Sequence, residues 1–393
     1  MKPRFLAFAS TRLLLVLAGV VVLKLFPAHP VESWMGVSFP DHAWIDGWVR
    51  WDSFWYESII DPHPRFVPSY LSNANFFPFY AWVSWIAALP FRPFLDLEHA
   101  FFMGALVVSS VSFVLGLAAV ERFTTAVAGR AVAMRTVWLI AVFPFSFFFT
   151  AVYSDALYFC LCAWSVTLAV EGRWYPACAL AALAMMTRIP GIALLPALAL
   201  EYLRQANGRT GERANGVMSA QTLVCLALLA AGPILIASYY QWRYGNPLEF
   251  LHARQVGWNR ASGIAGYVRD FGYFFERPIF NCTSVADCIK EFAPTRALLG
   301  GIYLALLPAS IAIVISGART MGAAATTFAL VSIALALPNG FDGVGRFTLV
   351  LFPFFVSLAL LLRRRAAFVA VCVACVPLLV LFFAQFARWR QVL

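Results

Sequence analysis

Charge is what this sequence has least of: Asp, Glu, Lys and Arg make up 12% of its 393 residues, against 62% hydrophobic. Soluble domains carry roughly a quarter of their residues as charges, so a water-soluble chain is excluded. Histidine is scarce as well, with five in all, and neither a His cluster nor a CxxC pair offers a metal site. Internal repeats, low-complexity tracts and a polar domain are equally missing, which leaves one membrane domain over residues 1–393. The net charge of +10 would suit nucleic acid, but the basic residues sit scattered at the ends of apolar runs. They read as topology signals, and no nucleic-acid partner is expected.

What is present is a series of apolar runs near the roughly 20 residues that a bilayer core demands. They place spans at about 11–26, 100–120, 134–150, 155–171, 176–188, 190–203, 220–239, 298–316, 321–337, 346–362 and 366–385. The fold expected is all-α and polytopic, with about eleven transmembrane helices. A signal peptide is the rival reading of the first run, but no small-x-small cleavage site follows it before "FPAHP", so a retained span is expected.

"NFFPFYAWVSWIAALPF" (75–91) is short, flanked by Pro78 and Pro90, and carries Tyr80, Trp82 and Trp85. It reads as an interfacial or re-entrant helix, and charge tests that choice. Without it as a span, the segments assigned to the cytoplasm hold 14 Lys and Arg against four acids, whereas the long exterior loops 27–99 and 240–297 hold ten basic residues against 13 acids. Counting it as a span would put Arg363, Arg364 and Arg365 outside, against the positive-inside rule.

Six of the eight cysteines fall in expected spans, where they serve as small apolar residues. Cys282 and Cys288 instead share a polar exterior loop, "NCTSVADCIKEF", and are expected to form a short disulfide. Asn281 there also begins a glycosylation sequon, a weak signal.

On this topology four exterior turns bring acids and arginines to one membrane face. "RWDSFWYE" supplies Arg50, Trp51, Asp52, Tyr56 and Glu57; "YSD" supplies Asp155; "TRIPG" supplies Arg188; "FDGVGRF" supplies Asp342 and Arg346. Each charge taken singly reads as an interfacial anchor or a structural ion pair, and the rings partly as an aromatic belt. Their agreement in side argues for a site. A carboxylate at a water–membrane boundary, beside Arg50 and walled by rings, suits a base acting on a polar substrate next to lipid. Arginines suit phosphate, because the guanidinium is a planar fork of donors with a permanent charge. In the second long loop, "HARQVGW" adds His252, Gln255 and Trp258 as candidate pocket residues, the plainer reading being an amphipathic cap on the membrane surface.

"RWDSFWY", "NANFFPFY", "FPFSFFFTAVYSDALYF", "TRIPGIALLPALALEYL", "YGNPLEFLHARQVGW" and "GRFTLVLFPFFVSLALLL" together resemble, in order and spacing over about 48–362, the second GPI mannosyltransferase (PIG-V) family and its bacterial relatives in the GT-C glycosyltransferase superfamily. The resemblance implies a polytopic enzyme with exterior juxtamembrane helices, taking mannose from a polyprenyl-phosphate donor on the lumenal or periplasmic face. It matches the expected catalytic base to Asp52. The "TRxxG" and "GR" arginines match Arg188 and Arg346, assigned to the donor phosphate by their chemistry. Two positions depart from the family pattern: "ESIIDPHPRFVPSY" replaces "IAxxGY", and "YSD" replaces "YSE". The short chain tilts the reading towards a bacterial inner-membrane homologue with an acceptor other than a GPI precursor.

The expected activity is thus inverting mannosyl transfer to a glycolipid or other exterior acceptor, with no cofactor or metal, since arginine can meet the phosphate charge. The alternatives are a lipid-linked sugar transporter, which would carry midplane polar residues and often repeated halves, and a noncatalytic assembly subunit.

Overall fold

The structure is a computed structural model that describes residues 2–26, 36–60, 72–208, 220–256, 263–276, 294–390 and 392. Among these, every regular element is a helix. The first, α1 (Pro3–Leu25), is followed by the short α2 (Ala43–Asp46), α3 (Asp52–Ile60) and α4 (Phe79–Ala88). Next come α5 (Leu97–Ala128), α6 (Arg130–Val142), α7 (Asp155–Val170), α8 (Trp174–Met185), α9 (Leu194–Gly208) and α10 (Ala220–Tyr244). The chain continues through α11 (Glu249–Val256), α12 (Ile264–Phe271), α13 (Pro294–Ala336), α14 (Val344–Leu349), α15 (Phe352–Leu361) and α16 (Arg365–Ala387).

Five of these, α1, α5, α10, α13 and α16, are long and apolar enough to cross a membrane, whereas α4, α7, α8 and α15 are apolar but only 10–17 residues long. Length alone therefore supports fewer spans than the eleven expected. Two expected spans, at 298–316 and 321–337, run together in α13, broken only at Gly322, whose φ of 81° is the left-handed conformation that glycine adopts without a Cβ penalty. At the other extreme, α5 has 32 residues, about 48 Å at 1.5 Å per residue. Its end runs past the apolar stretch into ion pairs, Glu121 with Arg4 at 2.7 Å and Arg122 with Glu171.

The ambiguous run at 75–91 forms α4, too short at 10 residues to span, and lies against α5. The two backbones approach so closely that a side chain at Gly104 would strike the backbone of Ser84 and Ala88. The Tyr80 hydroxyl lies 2.8 Å from that of Ser109.

The expected span at 134–150 is not one helix. Helix α6 stops at Val142 because Pro144 supplies no N–H and disfavours helical geometry at Phe143, whose ψ is 137°. Only a 3₁₀ turn, Ser146–Phe149, follows. A broken backbone in an apolar bundle must find partners, and Arg12 provides them. Its guanidinium donates to Ser146 O at 2.7 Å, Ser146 Oγ at 2.9 Å, Thr150 Oγ1 at 3.1 Å and Ala141 O at 3.4 Å, and lies over the Phe113 ring. Counting Arg12 as a flanking topology charge is therefore corrected: it is buried within α1.

Candidate active site

The site forms where the N-termini of α3 and α7 meet α14 and the chain just after α8. Asp52 and Asp155 are the first residues of α3 and α7, where the helix dipole favours negative charge. Trp51, just before Asp52, has φ of 52°, rare for a non-glycine residue, so α3 starts from a strained turn. Ser53 locks that turn: its Oγ accepts from Arg50 N at 3.0 Å and donates to Arg50 O at 2.8 Å. On the facing side, Gly343 begins α14 with φ of 79°. Gly345 lets α14 lie against the Phe145 ring, which any Cβ would strike.

Arg346 joins the two carboxylates. Its Nη1 donates to Asp52 Oδ2 at 2.8 Å, and its Nε and Nη2 lie 2.9 and 2.8 Å from Asp155 Oδ2. Arg188 closes the chain by donating to Asp155 Oδ1. Two acids and two arginines thus form a continuous, electrically balanced row. Its aromatic walls are Tyr153 and Phe148, whose ring centres lie 4.5 and 5.2 Å from the Arg346 guanidinium. Asp155 is fully enclosed, while 11% of Asp52, 13% of Arg346 and 15% of Arg188 side-chain surface stays open, so the row has an accessible edge.

The second oxygen of Asp52 takes no hydrogen bond among the described residues. Tyr56 stands behind it, donating its hydroxyl to Ser154 Oγ at 2.6 Å. Burial pushes that hydroxyl up to about 12, so it stays protonated at neutral pH. Beside Arg188 a narrow cleft opens, lined by Tyr158, Ile333, Ala336, Phe347 and Leu351.

Arg50 departs from its expected place beside Asp52. Completely buried, it pairs with Asp46 Oδ2 at 2.5 Å and donates to Asp46 O, Val49 O and Ala387 O at 2.6 to 2.7 Å. It ties the first loop to the end of α16 and presents no donor to the row. Trp51 packs edge-on to Trp389 at 5.5 Å, and Glu57 is buried on α3. Asp342 uses its backbone N–H on Asp270 and is not one of the charges joined to Arg346. His252 is exposed, 3.1 Å from Glu249. The side chain of Gln255, and all of Trp258, Cys282 and Cys288, lie outside the described residues. Among the described residues no group of three or more His, Cys, Asp or Glu could hold a metal.

Residue-by-residue reading missed Arg12, Asp46 and Asp270. Asp46 was legible as an i,i+4 partner of Arg50. Asp270 was not, because its partners beyond the adjacent Arg269 are the backbone N–H groups of Phe341 and Asp342, both at 2.8 Å.

Helices long and apolar enough to cross a membrane, with acids and arginines gathered at one end of the bundle, define a polytopic membrane protein. The chain belongs to the Mannosyltransferase (PIG-V) family, whose model matches residues 36–262. That match covers Asp52, Asp155 and Arg188, and stops short of Arg346. No curated protein matches the chain. Among solved structures, the fold resembles ArnT from Cupriavidus metallidurans bound to undecaprenyl phosphate, with a TM-score of 0.50 and 15% identity over 94% of this chain and 62% of that one. The archaeal oligosaccharyltransferase AglB from Archaeoglobus fulgidus, in complex with an inhibitory peptide and a dolichol-phosphate, aligns at TM-score 0.45 and 14% identity over 98% of this chain and 56% of that one. This chain therefore spans less than two-thirds of either neighbour's length.

Proposed function

We propose that the chain transfers mannose from a polyprenyl-phosphate donor to a hydroxyl of a glycolipid or other acceptor, with inversion, on the periplasmic or lumenal side of the membrane. The acceptor hydroxyl gives its proton to the free oxygen of Asp52 as its own oxygen bonds to the anomeric carbon. The bond from that carbon to the phosphate oxygen breaks, and the electron pair leaves with polyprenyl phosphate.

Arg346 keeps Asp52 aimed, through the hydrogen bond of 2.8 Å from its Nη1 to Asp52 Oδ2. Arg188, open on one side and engaged with Asp155 on the other, receives the departing phosphate together with the open edge of Arg346. The neighbour bound to undecaprenyl phosphate makes such a lipid carrier chemically reasonable here. The charge pattern of the sequence fits a site on the exterior side of the membrane, and no metal is required.

The observation that carries this reading is the Asp52 carboxylate held by Arg346 at the open edge of the row, in a chain of this family. The test incubates membranes containing the protein with radiolabelled polyprenyl-phosphate mannose. A labelled glycosidic product is expected, and Asp52→Asn should lower its rate by about 10² to 10⁴, the usual worth of general-base catalysis. Undiminished transfer by that variant would remove Asp52 from the role. Movement of the labelled lipid across liposomes without any product would favour a transporter.

A further inference from the structure

Three consecutive residues ahead of and at the start of α7 each reach a different part of the row of acids and arginines. Asp155 holds Arg346 and Arg188, and Ser154 Oγ accepts the Tyr56 hydroxyl. Tyr153, completely buried, reaches both members of the Asp52–Arg346 pair.

Its hydroxyl meets α3. The first amides of a helix have no partner within it. In α3, Ser53 N and Phe54 N close back on Arg50 O and Trp51 O at 3.1 and 3.2 Å. Asp52 N instead donates to Tyr153 Oη at 3.3 Å, across 101 positions of sequence. That amide directly follows Trp51, whose φ of 52° persists only where the surroundings hold it. The Tyr153 ring meets Arg346, whose guanidinium lies 4.5 Å from the ring centre and is attracted by the ring quadrupole. Other contacts fix Tyr153 independently of the two groups it holds. Phe148 and Phe386 pack on the ring at 5.1 and 5.7 Å, Ser109 Oγ donates to Tyr153 O at 3.4 Å, and the adjacent Val152 N donates to Trp48 O at 3.2 Å.

We infer that Tyr153 is a positioning residue: its hydroxyl sets where the Asp52 end of α3 stands and its ring sets where Arg346 stands, so one side chain registers the base against its cation. The inference rests on the transfer reading above, in which Asp52 is the base. With no open surface, Tyr153 acts through Asp52 and Arg346 and not on the substrate. A base displaced by about 1 Å can lose about a hundredfold in rate, which is why the support of its backbone matters.

Tyr153→Phe separates the two contacts, because it keeps the ring and removes the acceptor. Rates are measured in membranes containing the protein, with radiolabelled polyprenyl-phosphate mannose, and normalised to the amount of folded protein. The variant should lower turnover about tenfold, the order of one lost hydrogen bond, and leave the donor KM within about twofold. In an Asp52→Asn background the same substitution should change the residual rate by less than about twofold, because a residue that acts through Asp52 has nothing left to act on. Ser109→Ala is the structural control: it loosens the Tyr153 backbone, spares the hydroxyl, and should lower the melting temperature while leaving turnover near wild type. Unchanged turnover in Tyr153→Phe would overturn the inference. An equal fall with and without the Asp52 carboxylate, or an equal fall in Ser109→Ala, would make Tyr153 a packing residue and overturn it too. No labelled product from the unsubstituted protein would overturn the transfer reading, and this inference with it.

Discussion

Arg346 and Asp52 stand 294 positions apart in the chain, and their side chains meet at 2.8 Å. The same guanidinium holds Asp155, so the first loop, the turn before α7 and the turn before α14 converge on one cation. A planar fork can satisfy several acceptors at fixed angles, whereas an ammonium is a point charge.

Arg346→Lys is therefore expected to lower turnover by about a hundredfold, the order of a displaced general base, while leaving the protein inserted and folded. Steady-state transfer rates with labelled donor check this, and a rate within threefold of wild type would show that the fork is dispensable.

Asp155 faces two arginines and is wholly buried. Asp155→Ala leaves both without their shared carboxylate, and breaking a buried pair in this way costs about 3 to 5 kcal/mol. A large fall in the melting temperature of detergent-solubilised protein is expected. Adding Arg188→Gln should recover part of that loss, because it removes the charge left unpaired, Arg346 keeping Asp52.

Arg50→Met should act on stability and not on the donor. Its guanidinium joins Asp46 to the end of α16, so its removal leaves Asp46 buried without its cation, again at about 3 to 5 kcal/mol. Thermal unfolding should shift strongly while the KM for donor in the folded fraction stays unchanged. A raised KM with normal melting would mean that Arg50 meets substrate.

Arg12→Leu should loosen the break after α6. The carbonyl of Ser146 would lose the Arg12 donor, at about 1 to 3 kcal/mol for a buried group left unsatisfied, while that of Ala141 keeps the Ser146 hydroxyl at 2.7 Å. Arg12→Lys, which supplies a donor without the fork, should recover part of the melting temperature.

Transfer should persist in EDTA, because both site carboxylates are met by guanidinium. Loss of activity on chelation, restored by manganese or magnesium, would make Asp52 a metal ligand and not a base.

Hydropathy made the membrane class and the shortness of α4 legible in the sequence, because both depend on how many apolar residues follow one another. The motifs likewise pointed to Asp52, Asp155, Arg188 and Arg346, since each sits at the end of an apolar run. Which charge meets which was decided only by the tertiary structure. Arg50 lies two residues from Asp52 yet turns to Asp46 and the end of α16, while Asp52 pairs with a residue nearly three hundred positions away. Arg12 looked like a flanking charge until the broken backbone after α6 was brought against it. Asp270 pairs with its neighbour Arg269, but its long-range partners gave no signal, because they are backbone N–H groups, which every sequence contains. Burial in a chain is set locally by its apolar runs, but an ion pair needs two particular helix ends to meet at hydrogen-bonding distance, and that is a property of packing.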